Sequence, residues 1–473
     1  MSSSQSKGNS ENSNTVSLNR VLKLPTAILL VAGIMIGSGV FKKLAPMSQL
    51  GIGEGYILLA WMVAGFITML GAFTYSGLAS MTTETGGVYE YLRLIYGNFF
   101  SFLFGWSIFT IGGSGAIAAL AFIFSQSINT LLHLPEPAAG LEHFSIGGFI
   151  FPFEASGIKL FAVLTICVLT WFNYRGVKKG SALNNIVTAA KISGILLLII
   201  MGLFYTDATS HETVATTITA SPLKGISLFS AFFGAMLSAL WAYDGWANIT
   251  YITGEIKNPQ RNIPIAIVAG VGIAMTLYIL LNYSFMHVLS LPVVASIPQN
   301  NIVAAEVAKT LMGRAGATLI SLLIMLSTFG ALNACIIVYP RLYYRMAQEN
   351  FFFKKVSKVH PQFRTPYISL FYSMVWASIL VVTGTFDQLT NLVIFSGYLF
   401  FGLIAWGLVR MKRKGLITNK VWGYPFTPIV IILFSTILVI NTILVQPKQS
   451  LIGIALIASG IPFYYSFKNK RVP

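Results

Sequence analysis

Two apolar stretches of this sequence contain residues that an unbroken membrane helix does not favour. The first, Gly33-Ile-Met-Ile-Gly-Ser-Gly39, holds three glycines within seven residues, and each glycine weakens a helix by about 1 kcal/mol relative to alanine. The second, residues 240–248, places Asp244 and Gly245 inside an apolar run, where an unmatched charge costs about 3 kcal/mol or more. Both stretches are therefore predicted to unwind part-way across the membrane.

The first interruption predicts a site for a negatively charged group. A helix that restarts in mid-membrane leaves its first N–H groups without partners, and exposed backbone of this kind persists only where it lines a cavity or meets a ligand. Here the N–H groups belong to Ser38, Gly39 and Val40 and lie at the positive end of a half-helix, which suits a carboxylate. The glycines at 37 and 39 leave the backbone open to a close approach.

The carbonyl groups at the two interruptions predict a site for a positively charged group. They belong to Met35 and Ile36 in the first stretch and to residues 240–243, including Ala242, in the second. The negative end of a half-helix favours a cation such as an ammonium. A carboxylate site beside an ammonium site has the shape of an α-amino acid zwitterion.

Gly33 and Gly37 also admit a second interpretation. Their spacing is that of a small-residue face on which two membrane helices pack. That alternative leaves Gly39 and the matching interruption around Asp244 unexplained, so the binding site is favoured.

The whole chain has the composition of a membrane protein. Only 10% of its 473 residues are charged and its mean hydropathy is +0.74, whereas soluble domains carry about 25% charged residues. A helical span takes about 20 apolar residues. The sequence therefore predicts an all-α membrane protein with 12 transmembrane helices, with limits near 25–46, 56–79, 98–131, 157–174, 182–204, 226–252, 263–289, 316–340, 366–384, 387–409, 424–446 and 450–467.

The charge distribution predicts the topology. Of the 31 Lys and Arg residues, 23 fall on the side that holds both termini and four on the other, so both termini are predicted to be cytoplasmic in a multi-pass protein of the cell (inner) membrane. The interrupted spans 1 and 6 occupy matching places in two five-span halves, which predicts a 5+5 inverted repeat. The predicted parts are a disordered cytoplasmic tail at 1–20, repeats at 21–204 and 226–410, and appended spans at 424–467.

Six sequence segments resemble one family. The chain is similar to the L-type amino acid transporters of the amino acid–polyamine–organocation superfamily in residues 36–41 (IGSGVF), 85–89 (TGGVY), 241–246 (WAYDGW), 254–264 (GEIKNPQRNIP), 327–333 (STFGALN) and 359–366 (VHPQFRTP). The resemblance implies twelve spans in the inverted-repeat fold with discontinuous helices 1 and 6. It also implies sodium-independent exchange of amino acids by alternating access, with no cofactor and no metal.

The resemblance assigns roles to particular residues. Ser38 and Gly39 match the carboxylate-binding positions, Trp241 matches the aromatic that closes over the substrate, and Ala242 and Asp244 match positions whose backbone meets the amino group. Small or apolar residues of spans 3 and 10 are implied to line the side-chain pocket. The predicted substrate site comprises Met35, Gly37, Ser38, Gly39, Val40, Ser114, Ala118, Trp241, Ala242, Asp244 and Phe400, with Lys191 and Tyr243 in coupling or structural roles.

Three of these residues have structural alternatives. Trp241 is one of eight tryptophans and could simply pack in an apolar body. Asp244 could cap the second half-helix, or it could favour a cationic side chain or titrate during transport. Lys191 could reach the membrane surface with its long side chain, whereas the resemblance implies an ammonium that stands where sodium-coupled relatives hold a cation.

An exchanger of neutral L-amino acids is the favoured function, and a proton-coupled symporter of the same fold is the alternative. A channel would need a continuous polar lining. An intramembrane enzyme would need clustered acid–base or metal-binding groups, whereas the five histidines are scattered at loops and span ends. Amino acids and the lipid bilayer are the predicted partners, and nucleic acid is not. Animal relatives form a disulfide with a heavy subunit from the loop between spans 3 and 4; residues 132–156 hold no cysteine, so no such subunit is expected.

Overall fold

The structure is a computed structural model and describes residues 23–79, 87–138, 140–147, 150–175, 181–206, 223–363, 365–417 and 421–469. The predicted tail at 1–20 lies outside these residues. Over the described ranges the chain is helical apart from turns, connections and one isolated bridge between Ile146 and Ile150. The all-α prediction is thus confirmed.

Eighteen α-helices make up the described chain, and a π-helical turn and two 3-10 helices accompany them. In order they are α1 Leu24–Met35, α2 Gly39–Lys42, α3 Leu44–Ser48, α4 Glu54–Ala79, α5 Val88–Tyr96, α6 Asn98–Ser107, the π turn Ile108–Gly112, α7 Gly113–Leu132, α8 Ser156–Tyr174, α9 Ser181–Leu203, α10 Gly225–Ala242, a 3-10 helix Trp246–Glu255, α11 Pro259–Val288, α12 Leu291–Ser296, α13 Val303–Gln348, a 3-10 helix Lys354–Ser357, α14 Tyr367–Thr383, α15 Phe386–Arg413, α16 Phe426–Val445, α17 Pro447–Ala458 and α18 Gly460–Asn469.

Ten helical segments of the described chain are long and apolar enough to cross a membrane. Two shorter apolar helices, Thr188–Leu203 and Tyr367–Thr383, lie where spans 5 and 9 are predicted. The chain is therefore a multi-pass membrane protein, while the count of twelve spans and the inverted repeat remain predictions.

The span formed by α6 and α7 is the most enclosed of these segments. Within its most apolar window 89% of the residues are buried, against 33% and 28% in the last two segments of the chain. The last two segments, predicted as an appendage, thus lie at the edge of the bundle.

A π turn at Ile108–Gly112 interrupts this enclosed span. A π turn shifts the hydrogen-bonding pattern and leaves carbonyls that need other donors. The Tyr343 hydroxyl donates to the Ile108 oxygen at 3.2 Å, and the Trp376 indole N–H donates to the Thr110 oxygen at 2.8 Å. Side chains of α13 and α14 therefore hold the irregular turn in place just before Ser114.

Helix α5 lies outside every predicted span and is joined to the end of α13 by charged groups. The Arg93 guanidinium lies 2.6 Å from the Glu90 carboxylate, and the Tyr89 hydroxyl donates to Glu349 at 2.9 Å. Arg93 also lies 3.8 Å from Glu349, and Arg345 lies 4.0 Å from Glu90. The pKa of Tyr89 is raised well above its usual range, mainly by burial and secondly by the nearby Glu349 carboxylate. The hydroxyl is therefore protonated and acts as a donor at neutral pH.

Candidate functional site

The first predicted interruption is a real break in the helix. Helix α1 ends at Met35, Ile36 leaves the helical region at ψ 78°, and helix resumes at Gly39. The last turns close through Ile36 N–H to the Ala32 oxygen at 2.8 Å and Gly37 N–H to the Met35 oxygen at 2.7 Å. The backbone is thus irregular over residues 36–38, where the sequence predicts it.

The second predicted interruption is also a break. Helix α10 ends at Ala242, a turn follows over residues 243–245, and a 3-10 helix begins at Trp246. Gly245 has φ +95°, in the left-handed region that a residue with a side chain rarely adopts. The Asp244 N–H donates to the Trp241 oxygen at 3.2 Å, and the Asp244 side chain is half-buried.

The two breaks lie directly against each other. A Cβ atom placed on Gly39 would lie 2.6 Å from both Cα and Cβ of Ala242, so only glycine permits this approach. The Trp241 indole N–H donates to the Ser38 hydroxyl at 3.3 Å. In this conformation the space beside Gly39, which was expected to admit substrate, is filled by Ala242.

Three other helices, α9, α11 and α13, supply hydrogen-bond donors to the carbonyls of the first break. The Lys191 ammonium of α9 donates to the Gly33 oxygen at 3.2 Å, and the Ser327 hydroxyl of α13 donates to the Ile36 oxygen at 3.4 Å. Lys191 is only 5% exposed, so it does not reach the surface as the snorkelling alternative requires. The carbonyls freed by the break are therefore matched by side chains of separate helices, as buried backbone requires.

Tyr278 of α11 is the member of this group that the sequence analysis missed. Its hydroxyl lies 2.7 Å from the Met35 oxygen and 3.0 Å from the Ala242 oxygen, so it contacts both breaks. The available signal was a tyrosine in the middle of an apolar span, since a buried phenol normally needs a hydrogen-bond partner.

Tyr243 and Val40 have packed surroundings. The Tyr243 hydroxyl donates to the Trp61 oxygen at 3.0 Å, and its ring centroid lies 5.0 Å from that of Tyr278. Val40 is fully buried in α2. Tyr243 thus fixes the second break against α4, and its predicted structural role is consistent with this contact.

The predicted side-chain pocket residues are buried, but they do not form one cluster. Ser114 and Ala118 lie in α7, and the Ser114 hydroxyl has no hydrogen-bond partner among the described residues. Phe400 packs its ring on Phe104 with centroids 5.3 Å apart. Since Phe104 precedes Ser114 by ten residues, Phe400 lies about 15 Å along the helix from Ser114, and its role in the pocket stays a prediction.

A chain of side-chain contacts leads from the breaks to one end of the bundle. Trp241 packs edge-on against Phe386, with ring centroids 6.2 Å apart. The ammonium groups of Lys42 and Lys43 lie 4.8 and 4.9 Å from the Phe386 ring centroid. Lys43 is fully buried and lies 2.6 Å from the Asp387 carboxylate. These side chains cover the breaks on this side.

Beyond that cover lies a cavity of about 760 Å³. Asp387 lies on its wall. Most of the other lining residues are polar or acidic, and three are apolar; together they are Asn129, Glu136, Glu142, His143, Phe151, Glu154, Ala155, Ile158, Gln299, Asn300, Thr385, Gln388, Asn391 and Gln449. Within the described part of the chain no three His, Cys, Asp or Glu side chains come together as metal ligands. The acidic cavity is thus separated from the breaks by the layer that contains Trp241, Phe386 and Lys43, and Asp387 lies between that layer and the cavity.

Comparison with known proteins gives one consistent result. The family model described as amino acid permease matches residues 22–467. The serine/threonine exchanger SteT of Bacillus subtilis is 30% identical over 459 residues, which cover 96% of this chain and 98% of that protein. The b(0,+)-type amino acid transporter 1 of Mus musculus is 30% identical over 461 residues, covering 96% and 89%. The large neutral amino acids transporter small subunit 2 of Homo sapiens is 27% identical over 457 residues, covering 95% and 81%.

Proposed function

Because this chain belongs to the amino acid permease family, we propose that it exchanges neutral L-amino acids across the membrane by alternating access and without sodium. The observation that carries the proposal is the direct meeting of the two helix breaks, with Gly39 against Ala242. Family membership supports amino acid transport. The names of the relatives, which include an exchanger and a transporter of large neutral amino acids, support the finer assignment.

The backbone at the breaks supports recognition of the part that all amino acids share. The N–H groups at the start of α2 favour a carboxylate, whereas the Met35 and Ala242 oxygens favour an ammonium. Binding requires Ala242 to move away from Gly39. In this proposal the same movement disturbs Trp241, whose indole N–H donates to the Ser38 hydroxyl at 3.3 Å. Substrate binding is thereby coupled to the position of Trp241 and of Phe386, which packs against it.

Lys191 supports independence from sodium. Its ammonium supplies a buried positive charge 3.2 Å from the Gly33 oxygen, and Ser327 donates to the neighbouring Ile36 carbonyl. A cation at this break would compete with an ammonium that is already there. A bound sodium ion is therefore not required as a partner for the freed carbonyl oxygens.

Counterflow in proteoliposomes tests the proposal. Vesicles preloaded with one unlabelled amino acid should take up labelled amino acid quickly in sodium-free buffer, and empty vesicles should not. All twenty amino acids are tried as the internal partner, which also defines the side-chain specificity. Uptake into empty vesicles, or uptake that requires sodium, would rule out this form of the proposal.

A proton-coupled symporter is the alternative, and one observation favours it. Lys191 is a buried titratable group whose hydrogen bond goes to a neutral carbonyl, and such a group can exchange a proton without disrupting an ion pair. The same vesicles distinguish the two functions. Concentrative uptake into empty vesicles with an alkaline interior would establish the symporter.

We also propose that the protein lies in the inner membrane with both termini in the cytoplasm, and that it works without a disulfide-linked subunit. The asymmetric distribution of Lys and Arg supports the orientation. Cys167 and Cys335 are both free thiols within helices, which leaves neither in a loop that could pair with another chain. Labelling of single cysteines introduced near each terminus, from one side of the membrane at a time, tests the orientation.

A further inference from the structure

Three lysines lie together at the end of the bundle where α13 and α18 finish. Phe353, shortly after α13, packs its ring on Phe467 of α18 with centroids 5.4 Å apart. Lys354 and Lys355 follow the first ring along the chain, and Lys468 follows the second. All three lysines are exposed. The ring contact therefore brings them to one surface, and we call this group the lysine cluster.

The lysine cluster is carried on a closely packed aromatic base. Phe353 also packs on Tyr372 of α14 and on Phe463 of α18, with centroids 5.9 and 6.0 Å away. The preceding residue, Phe352, is buried, and its ring lies 5.2 Å from that of Phe109 in the π turn. These contacts come from three separate elements and fix the backbone that carries the lysines. An anion that binds there therefore has little backbone left to order.

The chain around the lysine cluster supplies no carboxylate to pair with it. From residue 350 onward the sequence contains a single acidic residue, Asp387, which lies beyond the far end of α14, about 25 Å along that helix. Glu349 precedes the cluster but is matched by Arg93 at 3.8 Å and by the Tyr89 hydroxyl at 2.9 Å. Within the described residues none of the three lysines takes part in an ion pair.

The lysine cluster lies at the level where membrane helices meet water. Helix α18 completes the apolar segment Pro447–Asn469, and Lys468 stands in its last turn. Tyr465, one turn earlier, is 53% exposed, and tyrosine is enriched at the membrane–water boundary. In the proposed orientation this boundary belongs to the cytoplasmic leaflet, whose surface is negatively charged. The partner that this position and this charge fit is a lipid headgroup.

We propose that the lysine cluster binds the headgroup of an anionic phospholipid. The ammonium groups donate charge-assisted hydrogen bonds to the phosphate, and the acyl chains lie against exposed apolar side chains of α14 and α18, such as Phe371 and Ile461. The orientation of a membrane protein depends on the number of basic residues on each side. A lipid site requires in addition that they are held at one place, as the packed rings hold them here.

The test is the Tm of the purified protein in a neutral detergent while phosphatidylglycerol is titrated in, with phosphatidylcholine as the uncharged reference. A lipid that binds the folded state raises the Tm. The triple variant Lys354→Gln, Lys355→Gln, Lys468→Gln should need at least about tenfold more phosphatidylglycerol for the same rise, because each basic residue near an anionic headgroup contributes about fivefold in affinity. Arginine at the same three positions retains the charge and should restore the wild-type titration.

The matched control removes the same charge from another exposed basic segment on this side of the bundle. Arg410, Arg413 and Lys414 are exposed at the end of α15, and their joint replacement by glutamine should leave the titration close to that of the wild type. An equal shift in both triple variants would show diffuse attraction by the whole basic surface and would overturn the site. An unchanged titration in the cluster variant would overturn it as well.

Two further outcomes concern the source of the anion. Stabilisation of the wild type by glycerol 3-phosphate at the same concentration as phosphatidylglycerol would identify a soluble anion as the ligand and exclude the lipid. Absence of stabilisation by phosphatidylglycerol would leave the cluster facing water or a soluble acidic partner, which also contradicts the proposal. The inference goes beyond amino acid exchange, and because the Tm does not require transport, a failure of the proposed function would leave this test intact.

Discussion

The buried ion pair between Lys43 and Asp387 gives a quantitative prediction. The Lys43 side chain is 0% exposed and the Asp387 side chain 20% exposed, with the charged atoms 2.6 Å apart. Removal of one partner from a buried pair leaves an uncompensated charge and costs about 3–5 kcal/mol. Asp387→Asn should lie at the upper end of that range, because it leaves the ammonium groups of both Lys42 and Lys43 without a carboxylate.

Lys43→Met should cost less than Asp387→Asn, about 2–3 kcal/mol. The remaining Asp387 carboxylate is partly solvated, and it stays near Lys42, whose ammonium donates to the Gln126 and Gln299 oxygens at 2.6 and 2.5 Å. The double variant Lys43→Met, Asp387→Leu replaces the pair with apolar groups and leaves Lys42, which keeps its hydrogen bonds to Gln126 and Gln299, without a carboxylate, so it should cost about 1–2 kcal/mol. The sum of the two single effects on the free energy of unfolding should thus exceed the effect of the double variant by several kcal/mol.

The assay is the free energy of unfolding of the purified protein in mixed detergent micelles, measured for the wild type, both single variants and the double variant. The exposed pair of Lys309 and Glu306, 3.9 Å apart with side chains 66% and 33% exposed, is the control. Lys309→Met should change the stability by no more than about 0.5 kcal/mol. Additive effects at Lys43 and Asp387 would show that the two charges do not stabilise each other, and the reasoning would be refuted.

Three further substitutions concern the breaks themselves. Gly39→Ala should lower exchange about 100-fold, because a Cβ 2.6 Å from Ala242 forces α2 to move by about 1 Å. Lys191→Met should slow exchange at least about tenfold with normal amounts of protein in the membrane, since it removes the donor to Gly33 and leaves that buried carbonyl unpaired. Trp241→Ala should raise the apparent KM about tenfold, as expected for loss of a large buried contact over the site.

Each of these variants has a matched control elsewhere in the chain. Gly272→Ala adds a Cβ that meets nothing within 4 Å, Lys355→Met alters an exposed lysine, and Trp406→Ala removes a side chain that is 55% exposed. All three should keep near-normal exchange. Near-normal exchange in Gly39→Ala, Lys191→Met or Trp241→Ala would instead assign that residue to packing alone.

Local chemistry made the breaks predictable. Glycines and an aspartate inside apolar runs mark backbone that a membrane helix does not favour, and α1 and α10 end at Met35 and Ala242, as the sequence indicates. The helix limits follow the apolar runs to within a few residues over most of the chain. The exception is α13, which extends the predicted span 8 at both ends, with a non-helical Gly313 near its start.

The partners of the site could not be predicted, because they come from distant parts of the chain. Asp387 lies 344 residues from Lys43 and Tyr278 lies 243 residues from Met35, and nothing local to either residue specifies such a pairing. Residue type alone indicates that each buried polar group has a partner, but it does not indicate which residue that partner is. Helix α5 was missed for a related reason: its charged side chains Glu90 and Arg93 pair with Arg345 and Glu349, which only the fold brings near.

The π turn at Ile108–Gly112 sets the rotation of everything that follows it in α7. Each residue of an α-helix turns the chain by about 100°, and a π turn holds roughly one residue more than an α turn. Because the extra residue is absorbed within the turn, a deletion of one residue within 108–112 would restore ordinary helix and leave Ser114 and Ala118 on nearly the same face. A substitution that converts the turn to α-helix without a deletion would instead rotate both residues by about 100°. A relative of the same length with a regular helix at this point would therefore present a different face of the span to the bundle interior, whereas a relative one residue shorter would keep the same face.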